Sequence, residues 1–122
     1  MTTQTIYNRF TQSVIFSCEA ETLREAVEKA VAEGVSLAGA NLALADLSRG
    51  NLHWANLSGA NLTGVILDWA NLEGADLSGA NLSWASLTGA NLRVANLHKV
   101  NMYMVNLNSV ILHETNLTGA IF

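Results

Sequence analysis

Large apolar residues recur in fives along most of this chain. From Leu37 onward, positions 37, 42, 47 and so on to 122 are Leu sixteen times, with Met102 and Phe122 as the two departures. Two residues before each stands a small residue: eleven Ala, five Val, one Gly and one Thr. Directly before each stands Asn eleven times and Asp twice. The unit reads Ala-Asn-Leu-x-x, as in Ala60-Asn61-Leu62-Thr63-Gly64.

Neither regular element buries this pattern. An α-helix turns about 100° per residue, so leucines five apart are offset by about 140° and trace no stripe. A strand alternates faces with period two, so residues five apart face opposite sides. The leucines share an interior only if the chain bends once per unit. Four bends close a square, and twenty residues make one coil that stacks on the next. The pattern therefore predicts an all-β solenoid, a quadrilateral β-helix of about four coils with a capping α-helix at its N-terminal end. Seventeen full units run from Val35 to Gly119, a rod roughly 20 Å long at about 4.8 Å per coil.

The expected core is Leu37, Leu42, Leu47, Leu52, Leu57, Leu62, Leu67, Leu72, Leu77, Leu82, Leu87, Leu92, Leu97, Met102, Leu107, Leu112 and Leu117. Burying each Leu stabilises by about 1.5–3 kcal/mol. The small residue two before each also faces inward, where four walls leave little room. The Asn faces outward and supports bent backbone through local hydrogen bonds. Gly recurs at the fifth position (39, 59, 64, 74, 79, 89, 119), a corner that suits positive φ. The chain has no Pro, which fits backbone N–H groups donating between coils.

A solenoid needs its ends covered. Residues 22–33 supply a cover: Thr22-x-x-Glu25 is a capping box. Leu23, Ala26, Val27, Ala30 and Val31 make one apolar helical stripe. Arg24–Glu28 and Glu25–Lys29 stand at i, i+4 on the wet side, and Gly34 ends the helix. A partner-binding role for this helix is the alternative to a cap. Ser13 to Cys18 reads as a strand laid along the first coil, with a turn at Arg9 to Gln12 before it. Residues 1–34 are thus the cap and 35–122 the solenoid. At the other end the inward slots enlarge to Val100, Val105 and Val110, and the pattern runs to Ile121 and Phe122 in register. Two readings stand there: Phe122 plugs the tube, or two copies stack end to end through Val110, Ile111, Leu112, Leu117, Ile121 and Phe122.

Tandem Ala-Asn/Asp-Leu-x-x from Val35 to Phe122 resembles the pentapeptide-repeat family, which implies a right-handed quadrilateral β-helix. Asn8 to Thr11, Val14 to Phe16, Glu19 to Leu23 and Glu25 to Glu28 are similar to the N-terminal module of bacterial and phage-borne members. The resemblance implies a fold more than a function. Some members resemble B-form DNA in shape and charge and bind DNA gyrase. The N-terminal resemblance, by itself, implies a phage or mobile-element accessory protein with no fixed partner.

Charge bears on those options. The chain carries −4 overall. The solenoid holds Asp46, Asp68, Glu73, Asp76 and Glu114 against Arg49, Arg93 and Lys99, a net −2. DNA carries one charge per ~1.7 Å, so a ~20 Å mimic needs about twelve. No Lys/Arg stripe marks a nucleic-acid binder. No apolar run nears the ~20 residues that span a bilayer, and the start lacks a signal-peptide pattern. These features predict a cytoplasmic protein with no membrane or direct nucleic-acid partner. Cys18 is the one cysteine. It reads as a small buried residue beside the first coil, with a reactive thiol as the alternative.

Residues twenty apart stack in columns. His53, Glu73, Arg93 and His113 share one, predicting a Glu73–Arg93 pair. His53 and His113 are three coils apart, near 14 Å, too far to share a metal. No catalytic set, cofactor motif or metal cluster stands out, so no enzyme is expected. Trp54, Trp69 and Trp84 occupy fifth positions. Trp69, Trp84, Tyr103 and Met104 are the candidate patch for an unidentified protein partner, with Ile66 and Ile111 adding apolar surface where Asn is usual. The alternative is corner packing over Gly64 and Gly89. The expected function is a non-catalytic interaction scaffold.

Overall fold

The computed structural model describes residues 2–122. The chain opens with a hairpin, β1 (Thr2–Asn8) antiparallel to β2 (Val14–Ala20). The helix α1 (Leu23–Ala32) follows, then the two-residue strand β3 (Ala40–Asn41). From there the backbone bridges to itself every twenty residues in parallel, Asn41 to Asn61, Asn81, Asn101 and Ile121 in turn. The same step joins Asp46 to Ile66, Asn51 to Asn71 and Asn56 to Asp76 on the other faces.

Each unit repeats one set of hydrogen bonds. The Leu N–H donates to the following coil, as Leu57 does to the Asp76 carbonyl at 2.7 Å. The Asn N–H donates to the preceding coil, as Asn61 does to the Ala40 carbonyl at 2.8 Å. A turn closes between them, with Ala60 N–H on the Leu57 carbonyl at 3.1 Å. Its third residue has positive φ, from Gly39 at 70° through Glu114 at 58° to Gly119 at 75°, the signature of a type II turn. The Asn side chain then accepts the N–H two residues on, as Asn81 Oδ1 does from Ser83 at 3.0 Å. That bond explains Asn and Asp in this slot: the side chain holds the first leg of the turn.

The leucines at every fifth position from Leu37 to Leu97 are sealed, and Met102 is 2% exposed. Leu107, Leu112 and Leu117, expected in the core, are only partly buried. They line the last turn of the rod, where no further coil lies over them. Phe122 is 67% exposed and does not plug the tube.

At the other end α1 covers the first coil. Thr22 caps it, its hydroxyl accepting the Glu25 N–H at 3.2 Å. The Glu25 carboxylate returns to the N–H of Glu21, one residue earlier than a capping box requires. Neither i, i+4 ion pair on the helix forms. Glu28 instead accepts the Asn51 N–H at 2.8 Å, where a coil carbonyl would otherwise stand. Gly34 turns the chain out at φ 73°. The strand against the first coil is β1, with Tyr7 opposite Asn41 and Asn8 opposite Ala40. The expectation of residues 13–18 in that place is therefore corrected: β2 is the outer strand. The reason is Ile6, 1% exposed and the buried anchor of the hairpin. Cys18 follows β2 outward and is only partly buried.

Candidate interaction surface

The fifth residue of each unit stands at a corner, so the exterior divides into four corner columns. Leu44, Gly64, Trp84 and Met104 form one. Leu44 is 78% exposed, Trp84 60% and Met104 57%. The face before this corner supplies Tyr103, 51% exposed, and the face after it supplies Ile66 at 39%. Trp84 and Tyr103 meet edge to face, with ring centroids 5.7 Å apart at 85°, a favoured aromatic geometry. From Asn61 to Ile66, Asn81 to Ser86 and Asn101 to Asn106 no charged residue flanks the column. Asp46 is the one charge beside it, near Leu44. The result is a neutral apolar edge along the rod.

Of the four proposed contact residues, this edge unites Trp84, Tyr103 and Met104. Trp69 lies on the next corner column, with Arg49, Gly89 and Ser109, and makes no ring contact with the other aromatics. Its ring covers Gly89, where an added methyl would collide with it. Trp54 covers Gly74 in the same way and sits 5.5 Å from the His53 ring. Gly64 is covered by Leu44, whose Cδ2 stands 2.7 Å from where a Cβ would be. Corner packing and exposure therefore coexist at Trp54 and Trp69: one face of each of these two rings rests on glycine one coil along, and both side chains stay more than half exposed. A large residue followed twenty positions later by Gly was the signal for this arrangement, as Leu44–Gly64, Trp54–Gly74 and Trp69–Gly89 all display.

The charged column behaves differently. Glu73 accepts from Arg93 Nη1 at 3.0 Å and lies 3.7 Å from His53 Nε2. His113 turns instead to Glu114 at 3.2 Å. His53, Glu73 and Arg93 thus link three coils, while His113–Glu114 stays within one, and each pair contributes modestly. Asp46, beside the first coil, is held below the ordinary carboxylate value of 3.8 by the Ser48 hydroxyl, then by the Ser48 N–H. Asp68 takes a role the sequence reading missed. Ile66 and Ser86 stand where Asn is usual, and Asp68 Oδ1 accepts both the Ser86 hydroxyl and the Thr88 N–H. One carboxylate thus serves the next coil's turn. Among the described residues no three His, Cys, Asp or Glu side chains come together as a metal would require. No helix among them is long and apolar enough to cross a membrane.

The repeated turn, the sealed Leu column and the Asn-supported corners define a β-solenoid of five-residue units. The family model for pentapeptide repeats matches eight copies over residues 28–64 and 66–102. The chain belongs to the pentapeptide-repeat family, whose members are right-handed quadrilateral β-helices and generally non-catalytic. It is similar to a pentapeptide repeat protein from the Arabidopsis thaliana thylakoid lumen, at 35% identity and TM-score 0.67, over 70% of this chain and 59% of that one. It is also similar to the pentapeptide repeat protein Rfr23 from the cyanobacterium Cyanothece 51142, at 39% identity and TM-score 0.51, over 63% of this chain and 59% of that one. The chain thus spans about three fifths of the length of each. Likeness to QnrB1, a plasmid-mediated fluoroquinolone resistance protein, is slight, at 18% identity and TM-score 0.35. No match is found among curated proteins.

Proposed function

We propose that this protein is a non-catalytic scaffold, a rigid rod of a little over four coils that presents one apolar edge to another protein. The observation that carries this reading is the neutral corner of Leu44, Trp84 and Met104 flanked by Tyr103 and Ile66, each more than a third exposed. Aromatic and Met side chains in an uncharged setting have the composition of an interface centre. Backbone hydrogen bonds every few residues hold the edge rigid, which limits the ordering cost of binding. The partners are an unidentified protein and a second copy of this chain. The compartment consistent with the composition is the cytoplasm, and a phage or mobile-element accessory role is compatible with the hairpin and helix.

The test is capture from extract of the native host by the immobilised protein, compared with Trp84→Ala and Met104→Ala. A protein retained by the native chain and lost from both variants supports the reading. Identical capture by all three removes it. Gyrase binding by DNA mimicry is the competing reading. The rod's five carboxylates are offset by three bases, and Glu73 is engaged by Arg93, which leaves far fewer free charges than the dozen or so a mimic of this length needs. Protection of gyrase supercoiling at micromolar protein would favour that reading over ours.

A further inference from the structure

We propose that the cleft between the end of α1 and the first coil binds a small organic ammonium ion, its charge against Glu28 and its apolar body against Trp54. The site lies on the corner diagonally opposite Trp84, and it does not depend on what docks at that edge. Two hollows adjoin beneath the last turns of α1 and share Val31 as a wall. The first, of about 420 Å³, is lined by Glu28 and His53. The second, of about 230 Å³, is lined by Gly34, Val35 and Trp54. Together they fall within the size range of small-molecule sites.

The gap follows from how the chain enters the solenoid. Gly34 stands twenty residues before Trp54 and so heads its corner column. It carries the chain out of the helix at φ 73°, and a methyl there would meet nothing within 4 Å. Trp54 occupies the next level of that column. Its ring leans the other way, onto Gly74, and leaves the space at Gly34 open. The ring is held there from the side as well, with its centroid 5.5 Å from that of His53.

Charge selects the ligand. Glu28 Oε2 accepts the Asn51 N–H at 2.8 Å, which fixes the carboxylate at the wall of the first hollow. Its second oxygen has no hydrogen-bond or ion-pair partner among the described residues. A carboxylate already oriented, with one oxygen unspent, is a preformed acceptor for a charged donor. No Lys or Arg lines either hollow. Arg93, on the same face as His53, is bound to Glu73 at 3.0 Å. The carbonyl end of α1 adds its negative dipole. The cleft therefore favours a cation and opposes a carboxylate or phosphate. A bare metal ion is a poor fit, since one carboxylate supplies too few oxygens, and it would leave the apolar wall of Val31, Val35 and Trp54 unused. An ammonium on an aromatic or alkyl body uses both hollows, with a ring packed against the indole. A free amine and the lysine side chain of another protein share this chemistry.

The experiment titrates the intact, isotopically labelled chain with phenethylammonium, 2-phenylethanol and phenylacetate, read by amide NMR. Phenethylammonium should shift Val31 to Ser36 and His53 to Asn56, with a Kd on the order of 1 mM for a ligand this small. The alcohol should bind about tenfold more weakly for want of the charge, and phenylacetate more weakly still. Glu28→Gln keeps an acceptor for the Asn51 N–H and removes the charge, so it should bring the amine down to the affinity of the alcohol. Trp54→Ala should weaken amine and alcohol alike. Nα-acetyl-lysine methylamide presents the ammonium as a protein would. Tighter binding than phenethylammonium assigns the site to a lysine side chain and weaker binding assigns it to a free amine; both uphold it. Equal affinity for the three phenyl ligands overturns the proposal, as does an amine affinity that Glu28→Gln leaves unchanged. So do shifts confined to the Trp84 edge, or none at about 10 mM amine.

Discussion

Gly79 and Gly89 differ in one respect, which isolates the energetic weight of the exposed tryptophans. Both are corner residues, with φ of 68° and 67°. A methyl at Gly79 meets nothing within 4 Å, while a methyl at Gly89 collides with the Trp69 ring. Alanine at either site pays the left-handed backbone cost, about 1 kcal/mol, reduced by about 0.5 kcal/mol through the stiffer unfolded chain. Gly89→Ala must in addition lift the ring. Trp69 is 56% exposed, so a little under half of a surface of roughly 250 Å² is covered. At about 25 cal/mol per Å² that contact is worth up to about 2.5 kcal/mol. We expect Gly79→Ala to cost about 0.5–1 kcal/mol and Gly89→Ala about 1–2.5 kcal/mol more, the range reflecting how far the ring re-seats. Thermal melts followed by circular dichroism resolve this, since each kcal/mol moves Tm by roughly 3–6 °C in a chain of this size. In a Trp69→Ala background the Gly89→Ala cost should fall to the Gly79→Ala value, a double-mutant cycle with coupling of at least about 1 kcal/mol. Equal costs for the two glycine variants, or zero coupling, would show that the ring gains nothing from the corner.

Leu77 is 0% exposed in mid-rod; Leu77→Lys buries an unpaired ammonium, and loss of the cooperative melt is expected. Ser78→Lys beside it should stay within about 0.5 kcal/mol of the parent, because the Ser78 N–H keeps its bond to Asp76; a comparable loss in both variants would contradict the burial pattern. Val94 is a β-branched residue at φ 53°, a costly conformation for its type. Val94→Asn should raise stability by about 1 kcal/mol, and a lower melting temperature would show that its side-chain contacts outweigh the strain. The lowered pKa of Asp46 makes its contribution to stability present above its unfolded value near 3.8 and lost as pH falls through the lower folded value. A carboxyl titration by NMR should place its midpoint below 3.8, and Ser48→Ala should move it upward; no movement would remove the hydroxyl as the cause.

How much of the molecule was readable depended on whether a position repeats. The Leu slot recurs often enough that burial has one solution, and the inward Ala and the Asn-supported corner follow from it. The single events were harder. Two strands flank the Arg9–Gln12 turn, and nothing in their polarity says which lies on the coil. Ile6 decides that, one apolar residue in Thr2–Asn8, a strand otherwise rich in Thr and Gln. The i, i+4 charges of α1 suggested a solvated helix face, yet Glu28 left that pattern for the Asn51 N–H. An orphaned backbone donor at the rod's end is a stronger demand than an exposed ion pair.

The same asymmetry explains the departures from the repeat. Ile66 and Ser86 fall in the Asn slot of neighbouring coils on one face, and neither reaches the N–H that Asn would hold. The turn at Thr88 survives because Asp68, an ordinarily free position, reaches across from the coil below. A repeat protein relaxes its consensus at one position when the residue twenty away supplies the missing group. The glycines under the Trp54 and Trp69 rings follow that rule. The informative unit of this sequence is therefore the column of residues one coil apart, which reads down the rod across four faces. Departures that share a column with their compensation are structural. Departures with none, such as the exposed Trp84 and Met104, are where the surface is free to serve another molecule.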